Sequence, residues 1–82
     1  MKVALSEDAQ KQYKRLPRNA QTKINKKLIA LRENPYSGKK LTGEFSDFWV
    51  VRAWPYRIIY EINEKAKRIE IHKIRHRQGA YK

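Results

Sequence analysis

The segment Trp49 to Ile62, WVVRAWPYRIIYEI, constrains the fold more than any other stretch of the chain. Val, Ile, Tyr and Trp suit a pleated, half-buried surface, and the proline at position 55 interrupts the run near its middle. The pattern predicts a β-hairpin turning near Trp54-Pro55, with strands from Phe48 to Trp54 and from Arg57 to Asn63. A side-chain period of two then divides the faces. Trp49, Val51 and Ala53, with Ile58, Tyr60 and Ile62, make the better core, while Val50, Arg52 and Trp54, with Arg57, Ile59, Glu61 and Asn63, look the other way. If the turn sets Arg52 opposite Arg57, their Cβ atoms lie roughly 5 Å apart. Like charges so placed are destabilising unless an anion sits between them.

The rest of the chain supplies partners for that hairpin. Lys2 to Leu5 reads as a short edge strand. Ser6 is placed to cap a helix whose first turn carries Glu7 and Asp8, and Ala9, Tyr13 and Leu16 give it a narrow apolar stripe that Pro17 ends. A second helix starts at Pro17 or Arg18 and runs to Glu33 or Asn34, with Ala20, Ile24, Leu28 and Leu31 as its stripe. Lys23, Lys26, Lys27 and Arg32 lie off that stripe on a solvated face. Residues 34–44, NPYSGKKLTGE, read as a loop. A turn over residues 63–67 leads to a last strand from Arg68 to Arg75. In that strand Ile69 and Ile71 share a parity with Lys73 and Arg75, a conflict that a bulge or a change of exposure resolves. The expected class is α+β: an N-terminal strand, a two-helix hairpin, then a three-stranded antiparallel meander in one domain spanning residues 1–82.

Charge narrows the partners. Twenty Lys and Arg against eight Asp and Glu give a formal net charge of +12, far beyond what solubility asks of a small domain. The excess is spread over both halves, with 11 basic and 4 acidic residues before position 45 and 9 and 4 after it. A folded basic surface facing a polyanion fits this better than a basic arm. The chain has no cysteine, so apolar packing alone holds the fold, which suits a reducing cytoplasm. It shows neither a signal-peptide pattern nor an apolar run long enough to span a bilayer, so no membrane partner is expected.

The candidate chemistry gathers on one side of the sheet and its tail: Arg52, Arg57, Lys73, Arg75, His76, Arg77 and Tyr81. No paired carboxylates accompany them, His72 and His76 have poor spacing for zinc, and there is neither a glycine-rich phosphate loop nor a nucleophile elbow. No cofactor is implied. Arginines, a histidine and a tyrosine suffice to cleave RNA by its own 2′-hydroxyl, which attacks the adjacent phosphorus. The protein then has only to move protons and neutralise charge on the phosphoryl oxygens. Guanidinium binds phosphate bidentately and stays charged, and histidine is the side chain whose ordinary pKa lies near neutrality. Tyr81 and Trp54 are candidate stacking surfaces, whereas Trp49 and His72 read as structural. A basic module that binds RNA without turnover has the same composition.

Taken together, FWVVRAWPYRIIYEI and IEIHKIRHRQGAY resemble the RelE/ParE toxin superfamily, and more closely its RelE-type mRNA endonuclease branch. The resemblance spans nearly the whole chain. Its most specific part is the H-R-x-x-A-Y tail, and the YR.IY strand is shared by both branches. It implies a toxin of a type II toxin-antitoxin system that cuts mRNA in the ribosomal A site without a metal, leaving a 2′,3′-cyclic phosphate. It also implies an antitoxin partner in a hetero-oligomeric complex. Carried over, Arg57 stabilises phosphoryl charge and Arg52 matches the second basic position of the preceding strand. Arg75, His76 or Arg77 hold phosphates or transfer protons, and Tyr81 positions the nucleotide. Lys73 and Trp54 are candidate RNA contacts from the residue pattern and not from the resemblance. Val50 departs from the pattern, standing where many relatives carry another basic residue, and Trp54-Pro55 replaces a Gly-Asp type of turn. The alternative within the superfamily is a ParE-like, non-enzymatic inhibitor of DNA gyrase.

Overall fold

The computed structural model describes residues 1–76. Strand β1 (Lys2–Leu5) leads into helices α1 (Glu7–Arg15) and α2 (Arg18–Glu33), and strands β2 (Lys39–Lys40), β3 (Phe48–Ala53), β4 (Tyr56–Asn63) and β5 (Arg68–His76) follow. They form one mixed sheet in the order β1-β5-β4-β3-β2, with β1 parallel to β5 and the other pairs antiparallel. The expected strand-helix-helix-meander order is therefore present, with one strand more than the sequence reading allowed. Residues 34–44 are not all loop. Two 3-10 turns, Pro35–Ser37 and Gly43–Phe45, flank β2, whose two lysines pair with Val50 and Trp49.

The local signals act as their chemistry requires. Ser6 Oγ accepts the Ala9 N–H at 3.0 Å, capping α1, and Glu7 and Asp8 occupy its first turn. Pro17 stands at the cap position of α2, where a missing N–H costs nothing. Ala9 of α1 and Ile24 and Leu31 of α2 pack on Ala53, Ile58, Tyr60, Ile69, Ile71 and Ile74 of the sheet. Ile58, Ile69 and Ile71 are fully buried, each worth about 1.5–3 kcal/mol relative to exposure. Among the described residues no helix is long and apolar enough to cross a membrane.

Two features decide where the sheet's outer side chains point. The hairpin turn is only Trp54-Pro55, joined by a cis peptide, so β3 ends at Ala53 and β4 begins at Tyr56, directly opposite it. Arg52 and Arg57 then face each other. In β5 a bulge, one of the two ways out of the parity conflict, is what the strand adopts: Ile59 pairs with Lys73 and Tyr60 with Ile71, leaving His72 as the extra residue. Ile69 and Ile71 point into the core before it and Ile74 after it. Lys73 and Arg75 are thereby turned outward.

Candidate functional site: an arginine row across three strands

The bulge completes a row. Arg52 pairs with Arg57 on β3 and β4, and Arg57 pairs with Arg75 on β4 and β5, so three guanidinium side chains lie in register on the face away from the helices. With strands about 4.8 Å apart, the row spans roughly 10 Å. Arg52 is exposed, and Arg57 and Arg75 are half-buried. Two acids of the same face are engaged farther along the strands: Glu61 Oε1 meets His72 Nε2 at 2.8 Å, and Glu70 accepts from Arg68 at 3.1 Å. The row concentrates positive potential, and its planar forks suit phosphate oxygens.

The bulge is held from the helix side. Beyond Leu5 the edge of β5 has no strand beside it, and α1 covers it with side chains. Ser6 Oγ donates to the His72 carbonyl at 2.7 Å, and Gln12 Oε1 accepts the Ile74 N–H at 2.7 Å. One backbone group belongs to the inserted residue and the other lies two residues beyond it, on either side of Lys73. The register that aims Arg75 outward is thus tied to the N-cap serine and the second turn of α1, residues that pattern reading assigned only to helix formation. Their hydrophobic neighbours gave no sign of this second task.

Grooves open on either side of the row. One of about 410 Å³ involves Gly38, Lys39, Val50, Arg52 and Arg57. Another of about 480 Å³ involves Phe45, Phe48, Ile59, Lys73 and Arg75. Lys73 therefore joins the arginine face as expected. His72 is structural: it carries the bulge, pairs with Glu61 and meets the edge of Phe48 at a centroid distance of 5.1 Å. Trp49 is structural too, packed between Tyr36 and Tyr60. Tyr60 closes the inner side: its hydroxyl donates to the Pro35 carbonyl at 2.8 Å and accepts the Gly38 N–H at 3.2 Å, and burial raises its pKa above the ordinary 10.0. Tyr36 donates to the Glu64 carboxylate, which raises the phenol's pKa in the same direction.

Two of the expected site residues lie elsewhere. His76 follows Arg75 in the same strand and so points to the opposite face, where its ring meets Tyr56 edge-on at 5.3 Å. The grouping of His76 with the arginines on one side of the sheet is corrected accordingly. Trp54 is exposed, but it lies at the hairpin tip in a groove with Lys23, Lys26 and Lys27 of α2, off the arginine row. Lys23 Nζ donates to its carbonyl at 3.3 Å. Arg77 and Tyr81 lie outside the described residues. Among the described residues no group of three or more His, Cys, Asp or Glu is arranged to hold a metal.

Known structures share this architecture. The toxin in the toxin-antitoxin complex RelBE2 from Mycobacterium tuberculosis superposes with a TM-score of 0.85 at 22% identity, covering 92% of this chain and 95% of that one. The YoeB/ParE toxin from Agrobacterium tumefaciens gives 0.80 at 21% identity over 93% and 98%. The archaeal RelE-RelB complex from Pyrococcus horikoshii OT3 gives 0.75 at 25% identity over 93% of each chain. A comparison with curated protein sequences found no match. The sequence model of the ParE toxin of type II toxin-antitoxin systems, parDE, matches residues 3–81, nearly the whole length. This chain, with its helical hairpin and arginine-lined sheet, belongs to that toxin family of the RelE/ParE superfamily.

Proposed function

We propose that this toxin is a ribosome-dependent endoribonuclease that cuts mRNA in the A site through the RNA's own 2′-hydroxyl. The observation that carries the reading is the in-register row Arg52, Arg57 and Arg75 on the open face of the sheet. A phosphodiester laid on it places its non-bridging oxygens against Arg57, with Arg52 and Arg75 on either side. Charge that develops on the pentacoordinate phosphorus is then met by guanidinium groups already in place. Lys73 extends the positive surface. Arg77 supplies a phosphate contact or proton transfer, and Tyr81 positions the attacking nucleotide; His76, turned to the opposite face, stands apart from the reacting phosphate. Trp54, at the hairpin tip, contacts RNA outside the reacting phosphate. The mechanism asks for no metal, because the nucleophile belongs to the substrate and arginine performs the charge neutralisation.

The reading includes a partner. RelBE2 and the archaeal RelE-RelB are toxin-antitoxin complexes, and a chain of net charge +12 attracts an acidic segment electrostatically. A cognate antitoxin that covers the arginine face would silence it in the cytoplasm, where its ribosomal target resides. A second reading, a ParE-like inhibitor of DNA gyrase, draws on the ParE family match and on Val50.

One experiment separates them. The purified chain is incubated with mRNA, once on programmed ribosomes and once free, and the cut ends are mapped. Ribosome-dependent cuts ending in a cyclic phosphate and a 5′-hydroxyl are expected. No cuts under either condition, together with inhibited supercoiling by gyrase, would establish the second reading.

A further inference from the structure

The outer face of the sheet is not uniformly cationic. Beside Arg75 the groove of about 480 Å³ is apolar in its walls and basic at its rim: Phe45, Phe48 and Ile59 form the walls, and Lys73 and Arg75 the rim. Phe45 is 56% exposed, a large aromatic surface left open to water on a strongly charged protein. The His72 ring also lines the groove, with its Nε2 held by Glu61 and its ring against Phe48 in a T-shaped contact. A ligand that satisfies both parts of this surface is apolar and anionic at once, as a nucleotide is through its base and phosphate.

We propose that the groove seats a nucleobase of single-stranded RNA, stacked on Phe45, whose nucleotide places its phosphate at Arg75. The proposal rests on reading the arginine row as a phosphate site. Ile59 lies two residues from Arg57 along β4, about 7 Å on the same face, and it pairs across the sheet with Lys73. A base hangs one sugar away from its phosphate, which matches that offset. Aromatic stacking accepts any base, and the Nε2 of the groove's histidine is held by Glu61. The subsite therefore supplies affinity and orientation, with little base choice. An acidic segment of a protein partner with an apolar side chain is the competing occupant, and for it the Phe45→Ala change would not discriminate between base-bearing and abasic RNA.

The test uses a fluorescent 2′-O-methyl hexanucleotide, in which the attacking hydroxyl is blocked, and a matching oligonucleotide with abasic positions. Binding to the full chain is followed by anisotropy, with circular dichroism to confirm folding. Phe45→Ala is expected to weaken binding of the base-bearing probe by about fivefold or more and to leave the abasic probe unaffected, while Phe45→Trp preserves binding. Arg57→Ala is expected to weaken both probes. If Phe45→Ala leaves the base-bearing probe unaffected while Arg57→Ala weakens it, the base subsite is overturned and the phosphate row stands. If neither substitution matters, or the wild-type chain binds neither probe, the base subsite is overturned, while the RNA reading stands or falls separately on the mapped cuts with programmed ribosomes.

Discussion

Repulsion within the arginine row is measurable before any substrate is added. Guanidinium groups held at the strand spacing, about 4.8 Å, repel by about 0.9 kcal/mol in water, and by about 0.5 kcal/mol if they splay to about 8 Å. Arg57 faces a like charge on both sides, so the native state carries roughly 1–2 kcal/mol of repulsion that the extended chain lacks. The perturbation is a pair of double-mutant cycles, Arg52 with Arg57 and Arg57 with Arg75, each arginine replaced by glutamine to keep the stem. Urea unfolding of the single and double variants isolates the pairwise coupling from whatever else each side chain touches. The expected coupling is repulsive, about 0.5–0.9 kcal/mol per pair at low salt, and shrinks severalfold near 1 M salt, where the Debye length is about 3 Å. The same Arg57→Gln change is expected to lower cleavage at least tenfold, about 1.4 kcal/mol of transition-state stabilisation. The pairwise coupling thus opposes stability at the residue whose charge is expected to favour cleavage. Zero or attractive coupling at low salt would show that the side chains do not converge, and the phosphate argument would fall with it.

Other substitutions test the scaffold around the row. Gln12→Ala removes the acceptor for the Ile74 N–H and should cost about 1–3 kcal/mol; if that bond holds the bulge, cleavage falls as Arg75 loses its aim, and Gln12→Glu, which keeps an acceptor, restores it. Unchanged cleavage by a folded Gln12→Ala protein would uncouple the bulge from the site. For Tyr60 the native phenol has a raised pKa, so the folded state keeps a proton that the unfolded chain loses. Its contribution is complete below pH 10.0 and declines as pH rises through the higher folded value, so Tyr60→Phe should show a shallower loss of stability above that point in pH-dependent urea titrations. A Cβ at Gly38 would press on the Tyr60 hydroxyl and stand 2.7 Å from the Val50 carbonyl, so Gly38→Ala should destabilise by about 1–3 kcal/mol in thermal melts. If Tyr81 stacks without transferring a proton, Tyr81→Phe leaves the cleavage rate nearly unchanged and Tyr81→Ala lowers it; a large loss already in the phenylalanine variant would assign the role to the hydroxyl.

The sequence made the row visible in part. Arg52 and Arg57 follow from strand parity and a tight turn at Trp54-Pro55, both local signals. The clash of parity in β5 left a bulge or a change of exposure open, and the bulge at His72 is what lets Arg75 join. What stayed hidden depends on contacts between distant segments. Lys39 and Lys40 have no apolar alternation and become a strand only because β3 offers them an edge. His76 was grouped with the arginines by proximity in sequence, although adjacent strand residues point to opposite faces. Trp54 has the parity of the outer face, yet it sits at the turn, where the alternation ends and the lysines of α2 come within reach.

The sheet order has a consequence for how the molecule comes into being. Strand β5 lies between β1 and β4, so the first strand made has no neighbour until residues 68–76 have been synthesised. Ser6 and Gln12 likewise wait for the backbone of that segment before they find their partners. A growing polypeptide therefore passes through a long interval with helices formed and an incomplete sheet, and closes by inserting the late strand against the earliest one, a pairing that spans most of the chain and is slow to find. The third arginine arrives in that same closing event. A prematurely terminated product that stops short of β5 lacks both the pairing that completes the sheet and the residue that completes the cationic face.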